Sequence, residues 1–135
     1  VLRRNKVMII GQTTFNEDEF NRIAAILEAS ADEAIICDSI CQATSDRQHE
    51  IRELAADADA VVIVGGKSSA NTRRLAEIAA ELCPRTFHVE TEAELCLADF
   101  ADCQNIVVSA GASTPDFITQ KVIEFLAGIE KMASK

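Results

Sequence analysis

The sequence predicts an α/β protein, a three-layer α/β/α arrangement around a mostly parallel sheet of about five strands. Three observations carry that expectation. Short apolar runs alternate with longer stretches whose apolar residues recur at helical spacing. The strand and helix signals alternate along the chain, which means right-handed crossovers and a mostly parallel sheet with helices on both faces. No Pro/Gly/Ser-rich linker or low-complexity tract interrupts the chain, so a single domain over 5–131 is the economical reading.

Lys6-Val-Met-Ile-Ile-Gly11 reads as a first strand buried on both faces. Asn16 is placed to cap a helix, with Glu19 three residues on, and Phe20, Ile23, Ala24 and Leu27 form its apolar stripe. Residues 34–37 read as the second strand. A helix over 45–56 turns Ile51, Leu54 and Ala55 inward. The run over 60–65 is the strongest strand signal. A helix over 71–82 follows, with Leu75, Ile78, Ala79 and Leu82 inward and Pro84 ending it. Residues 86–89 and 105–109 complete the strands, with a short helix near 93–97 between them. The last helix opens at Pro115, with Thr114 as its cap, and continues through Ile118, Val122, Ile123, Phe125 and Leu126.

Charge and cysteine usage narrow the function. A net charge of −9 repels phosphate backbones, and the chain has neither a basic patch nor a Tyr or Trp to stack bases. Nucleic acid is therefore not an expected partner. No apolar run approaches the roughly 20 residues that span a bilayer, and no signal peptide is evident. Five cysteines, an odd number without a CxxC pair, make a poor disulfide framework and point to a reducing cytoplasm. The first residue is Val1 rather than Met, so the chain is expected to begin mid-protein or after processing.

In a parallel sheet, ligands bind beyond the carboxyl ends of the strands. The loops there read Gln12-Thr13-Thr14, then 38–44 with Cys41, then 65–71, then 110–115; only the fourth of the five, 90–94, is acidic. Gly65 and Gly66 allow close backbone approach, and the next helix start offers free N–H groups to an anion. Ser69 and Asn71 add neutral donors, and Gly111 with Ser113 repeats the arrangement. Two readings compete for these residues: a phosphate or diphosphate cradle, or plain helix caps. Lys67 reads as a solvated lysine that could also attract the anion, and Arg73 and Arg74 as solvent-facing. Cys41 lies between a strand end and a helix start, where the dipole favours a thiolate suited to a metal or to nucleophilic chemistry. Cys37, Cys83, Cys96 and Cys103 read as small buried hydrophobes, and His88 as a strand residue without a partner.

These loops resemble the LytB/IspH family of 4-hydroxy-3-methylbut-2-enyl diphosphate reductases. The matching stretches are Gln12-Thr13-Thr14, the run 39–48, the run 64–72 and the run 110–115, in the family's order over nearly the whole chain. The resemblance implies a carboxyl-terminal portion: the end of a middle lobe (about 1–39) and a third lobe (about 40–131), with the amino-terminal half absent. It implies Cys41 as one ligand of a 4Fe-4S cluster that needs two further cysteines from upstream. It places Thr13 near the substrate hydroxyl, and Ser69, Ala70, Asn71 and Ser113 at the diphosphate. Ala70 stands where the family usually has a serine, leaving only its backbone N–H. The implied reaction is reductive dehydroxylation to isopentenyl and dimethylallyl diphosphate, in the MEP route to isoprenoids. Ferredoxin or flavodoxin would supply electrons, and the isolated chain would be inactive. Two other readings remain: a stand-alone phosphate-binding module, and a cysteine redox sensor using Cys41.

Overall fold

A computed structural model describes residues 6–133. The expected α/β class, parallel strands with flanking helices, is what the chain adopts, in two compact units, 1–45 and 46–135. All five strands are present and every pairing is parallel, but they form separate sheets of two and three strands. Alternating strands and helices specify crossovers; they do not specify which strands become neighbours.

In the first unit, Val7–Ile10 (β1) lies beside Ala34–Cys37 (β2), with Val7 opposite Ala34 and Ile10 opposite Cys37. Glu17–Ser30 (α1) joins them. Asn16 caps it as expected, its Oδ1 accepting the Glu19 N–H at 2.9 Å. Glu17, Asp18 and Glu19 place negative charge at the helix's positive end. Phe20 and Ala24 close over Ile9, flanked by Val7 and Leu27. The expectation that β1 is buried on both faces fails. The alternate residues Met8 and Ile10 are 59% and 65% exposed.

Gln42–Ala55 (α2) contains the boundary between the units. It begins before residue 45, because the Cys41 carbonyl already accepts the N–H groups of Thr44 (2.8 Å) and Ser45 (3.0 Å). In the second unit Ala60–Val64 (β3) lies between Thr86–Val89 (β4) and Ile106–Ala110 (β5). All five β3 residues are fully buried. Their side chains alternate as a strand dictates. Val61 and Ile63 join Ile51 and Ala55 of α2 and Leu75, Ile78 and Ala79 of Ala70–Leu82 (α3). Ala60, Val62 and Val64 join Phe100 with Val122 and Leu126 of Asp116–Ala133 (α4). Two 3₁₀ turns, Glu92–Glu94 and Leu97–Phe100, replace the single helix expected near 93–97. Leu54 and Leu82, expected inward, are exposed, as is Ile123 of the last helix. A three-stranded sheet gives each helix a narrow seat, and the flank of the apolar stripe stays in solvent.

Candidate functional site

In the second unit, two turns leave the same sheet edge. β3 ends at Val64 and β5 at Ala110, which are partners across the ladder. The Gly111 N–H and the Thr114 hydroxyl both donate to the Val64 carbonyl, each at 3.0 Å. Thr114 is thus a tie between the turns rather than the expected cap of α4. Gly65 has φ +145°, a conformation that L side chains rarely adopt. A Cβ there would lie 2.5 Å from Thr114 Oγ1 and 2.9 Å from Thr72 Oγ1; one on Gly111 would lie 2.2 Å from Thr72 Oγ1. Both positions require glycine. Gly66 does not, since a Cβ there meets nothing closer than 3.8 Å.

These ties bring Ser69, Ala70, Asn71 and Ser113 to one edge. Ser69 is the N-cap of α3, its Oγ accepting the Thr72 N–H at 3.3 Å. The cap reading therefore holds for the Ser69 oxygen, while its hydroxyl proton remains to be donated. Ala70 opens the helix, where N–H groups lack intrahelical partners. Asn71 is only 5% exposed, yet neither its Nδ2 nor its Oδ1 has a hydrogen-bond partner. Such an orphan costs about 1–3 kcal/mol, so a ligand that satisfies it recovers energy the fold gives up. Ser113 is exposed in the second turn.

The expected cation is occupied elsewhere. Lys67 Nζ forms an ion pair with Glu94, and the Lys67 N–H donates to Glu90 Oε1 at 2.8 Å. The Lys67 ammonium, with the Glu90 N–H, holds the Glu94 carboxyl below its ordinary range, and Glu94 raises the lysine in return. His88 is not without a partner: its Nε2 lies 3.0 Å from the Gly65 carbonyl oxygen. Arg74 pairs with Glu77 at 2.6 Å, and Arg73 is exposed.

The first unit carries the other expected residues. The Cys41 N–H donates to the Thr13 carbonyl at 2.9 Å, and Ser39 Oγ to the Gly11 carbonyl at 2.5 Å. The loops after β1 and β2 are thereby laced together, and Thr13 and Cys41 are both exposed. All five cysteines are free thiols. Cys83 is buried, as expected. Cys96 is exposed, so the buried-hydrophobe reading fails for it; Cys37 and Cys103 are half-buried, and Cys103 Sγ lies 3.3 Å from the Arg85 guanidinium. Among the described residues, no three His, Cys, Asp or Glu side chains converge to hold a metal.

The LytB protein family model matches residues 1–127. The chain belongs to the LytB family. A relative from Anaeromyxobacter sp. (strain K), named 4-hydroxy-3-methylbut-2-enyl diphosphate reductase, is 47% identical over 128 residues, or 95% of this chain and 46% of that protein. An Aquifex aeolicus (strain VF5) protein of the same name is 42% identical, covering 90% of this chain and 42% of that protein. A solved (E)-4-hydroxy-3-methyl-but-2-enyl diphosphate reductase, described as the terminal enzyme of the non-mevalonate pathway, aligns with TM-score 0.67 and 40% identity, over 93% of this chain and 44% of that one. The Plasmodium falciparum E-1-hydroxy-2-methyl-but-2-enyl-4-diphosphate reductase aligns with TM-score 0.80 and 25% identity, over 90% of this chain and 39% of that one. The chain thus spans less than half the length of these relatives.

Within this LytB chain, sequence reasoning missed Thr72, Thr114 and the necessity of Gly111. One signal was available: a threonine follows each anion loop, Thr72 after 65–71 and Thr114 after Ser113. Threonine at a helix start reads as a capping residue, which hid the tie that Thr114 makes and the place of Thr72 between the turns. Among the described residues, no helix of the LytB chain is long and apolar enough to cross a membrane.

Proposed function

We propose that this chain supplies the diphosphate cradle and one cluster cysteine of an iron–sulfur reductase that acts in the cytoplasm. The substrate would be (E)-4-hydroxy-3-methylbut-2-enyl diphosphate, reduced to isopentenyl and dimethylallyl diphosphate. The step consumes two electrons and two protons, breaks the C4–O bond and releases water. One observation carries the reading: the buried, unpartnered amide of Asn71, at a helix start beside Ser69 and on the same edge as Ser113. In this reading Ser69 and Ser113 donate hydroxyl protons to diphosphate oxygens, the Asn71 Nδ2–H adds a third donor, and Ala70 gives its backbone N–H. The α3 dipole favours the negative charge, which explains how an acidic chain with Lys67 engaged by Glu94 can hold an anion. Thr13 would orient the hydroxyl end of the substrate.

The residues fit a 4Fe-4S cluster as one share of its ligand set. The exposed Cys41 thiol at the start of α2 offers one sulfur, and two further cysteines would come from the amino-terminal part of the same protein. When bound, the cluster supplies the electrons, received from ferredoxin or flavodoxin. The division into the end of a middle lobe (about 1–39) and a third lobe (about 40–131) belongs to the same proposal, as does inactivity of the isolated chain.

The test is the complete protein, purified without oxygen, as wild type and as Cys41→Ser. The wild type should be brown and should reduce the allylic diphosphate with a reduced viologen as donor. Cys41→Ser should lose most of its iron and most of its activity, because the cofactor carries the chemistry. A colourless wild type that still binds pyrophosphate would favour the phosphate-binding module. Full iron and activity in Cys41→Ser would remove Cys41 from the ligand set.

A further inference from the structure

Beside Asn71 the structure holds a second orphan. Thr72 is fully buried, and its hydroxyl has no hydrogen-bond partner. The hydroxyl lies in the gap between the two glycine turns, against both Gly65 and Gly111. The Thr114 hydroxyl shares that gap, but it donates to the Val64 carbonyl. Valine has the same shape as threonine and would fill the same space without a polar atom to desolvate. An unpaired hydroxyl in so tight a seat is costly, and buried polar groups in native proteins are satisfied with few exceptions. Two of the unpartnered atoms, Asn71 Nδ2 and Thr72 Oγ1, are donors on consecutive residues in the first turn of one helix, where an anion is the partner both could serve.

We infer that the Thr72 hydroxyl is a further polar contact of the anion site, reaching the bound diphosphate directly or through one ordered water. The inference rests on the diphosphate reading above and extends it to a residue that the loop pattern does not mark. It assigns the hydroxyl to ligand binding and the methyl to packing. It also gives a second use to Gly65 and Gly111: a Cβ on either would displace the hydroxyl from the place where the turns meet.

Three variants of the complete protein separate the hydroxyl from the shape of the side chain. Thr72→Val keeps the shape, Thr72→Ser keeps the hydroxyl, and Thr72→Ala keeps neither. Pyrophosphate is the probe, with its Kd read by calorimetry alongside KM and kcat for the allylic diphosphate. Thr72→Val should weaken pyrophosphate binding roughly ten- to hundred-fold, the range for one hydrogen bond to a charged group. KM should rise by more than kcat falls. The ligand-free Tm of Thr72→Val should not drop, since an orphaned hydroxyl has been removed. Thr72→Ser should bind within about three-fold of wild type, because it keeps the one group the inference requires.

A purely packing role gives the opposite order, with Thr72→Val like wild type and Thr72→Ser impaired, and that order overturns the inference. Should Thr72→Val fail to fold, Thr72→Ser against Thr72→Ala decides: equal affinities overturn the inference, and a loss confined to Thr72→Ala upholds it. If wild type does not bind pyrophosphate, the diphosphate reading falls and this inference with it. If wild type binds and Thr72→Val matches it, only the role of Thr72 is lost.

Discussion

The two units repeat one strand–loop–helix theme and finish it differently. In the second, β3 lies between two strands with α2 and α3 on one face and α4 on the other, and its five residues are fully buried. In the first, β1 has one neighbour strand and α1 on one face, and Met8 and Ile10 on the other face are more than half exposed. The runs look alike in sequence, Val-Met-Ile-Ile against Ala-Val-Val-Ile-Val. Apolar composition therefore does not set stability by itself; cover does, and parallel strands need it on both faces. The second unit obtains that cover from its own residues. It also holds the orphaned Asn71 amide, a cost that its larger core can carry.

The largest effect should come from the core that the first unit lacks. Ile63→Ala removes a side chain with no exposed surface from the centre of β3, and should cost about 2–5 kcal/mol. Urea unfolding followed by circular dichroism measures it, since the chain has no Trp or Tyr for fluorescence. A loss under about 1 kcal/mol would mean that the core relaxes around the cavity, and the contrast between the units would shrink.

Next in size is Gly111→Ala. The new Cβ would sit 2.2 Å from Thr72 Oγ1 and 3.3 Å from Thr72 Cβ, where the two turns meet. Overpacking of this kind costs about 1–3 kcal/mol. Gly66→Ala, in the same glycine-rich loop but in open space, should stay within about 0.5 kcal/mol. Similar losses at both glycines would show that the loop, rather than the junction, is what glycine serves.

Much of this was legible in the sequence. The strands at 34–37 and 86–89 matched residue for residue, because β-branched and aromatic runs bounded by polar residues leave little freedom. The Asn16 cap was legible because capping is local chemistry, settled within three residues. Strand neighbours were not, since pairing β3 with β5 joins residues more than forty positions apart. The orphan at Thr72 was equally hidden: its meaning depends on Gly111, which the chain reaches only after two further strands. Cys96 escaped for a similar reason, because free cysteine is usually buried and only the folded chain shows this one in solvent.

Acid should then act on the approach to β5 in the second unit. Asp59 Oδ2 accepts the N–H groups of Asn105 and Gln104, each at 2.8 Å, and these bonds hold its carboxyl below the ordinary value of 3.8. A lowered acid stabilises the fold above its unfolded value, and that contribution disappears as pH falls through the lower, folded value. The Gln104 and Asn105 amide resonances should therefore titrate below pH 3.8, with the change abolished in Asp59→Asn. A midpoint at or above 3.8 would mean that Asp59 does not fasten the start of β5.

The smallest effect is expected where the first unit is bare. Ile10→Thr replaces a β-branched residue that is 65% exposed with another of similar strand preference. Little apolar surface leaves water at that position when this chain folds, so the substitution should change stability by less than about 0.5 kcal/mol. Ile9→Thr, one residue earlier and 8% exposed beneath Phe20, buries a hydroxyl among apolar neighbours and should cost about 1–3 kcal/mol. The same pair made at the matching positions of a full-length LytB-family protein sharpens the point. If upstream residues cover the Met8 and Ile10 face there, Ile10→Thr becomes costly in the longer protein while remaining silent in this one. Equal, small effects in both would mean that the face is solvent-exposed by design, and the difference between the units would then reflect function rather than missing cover.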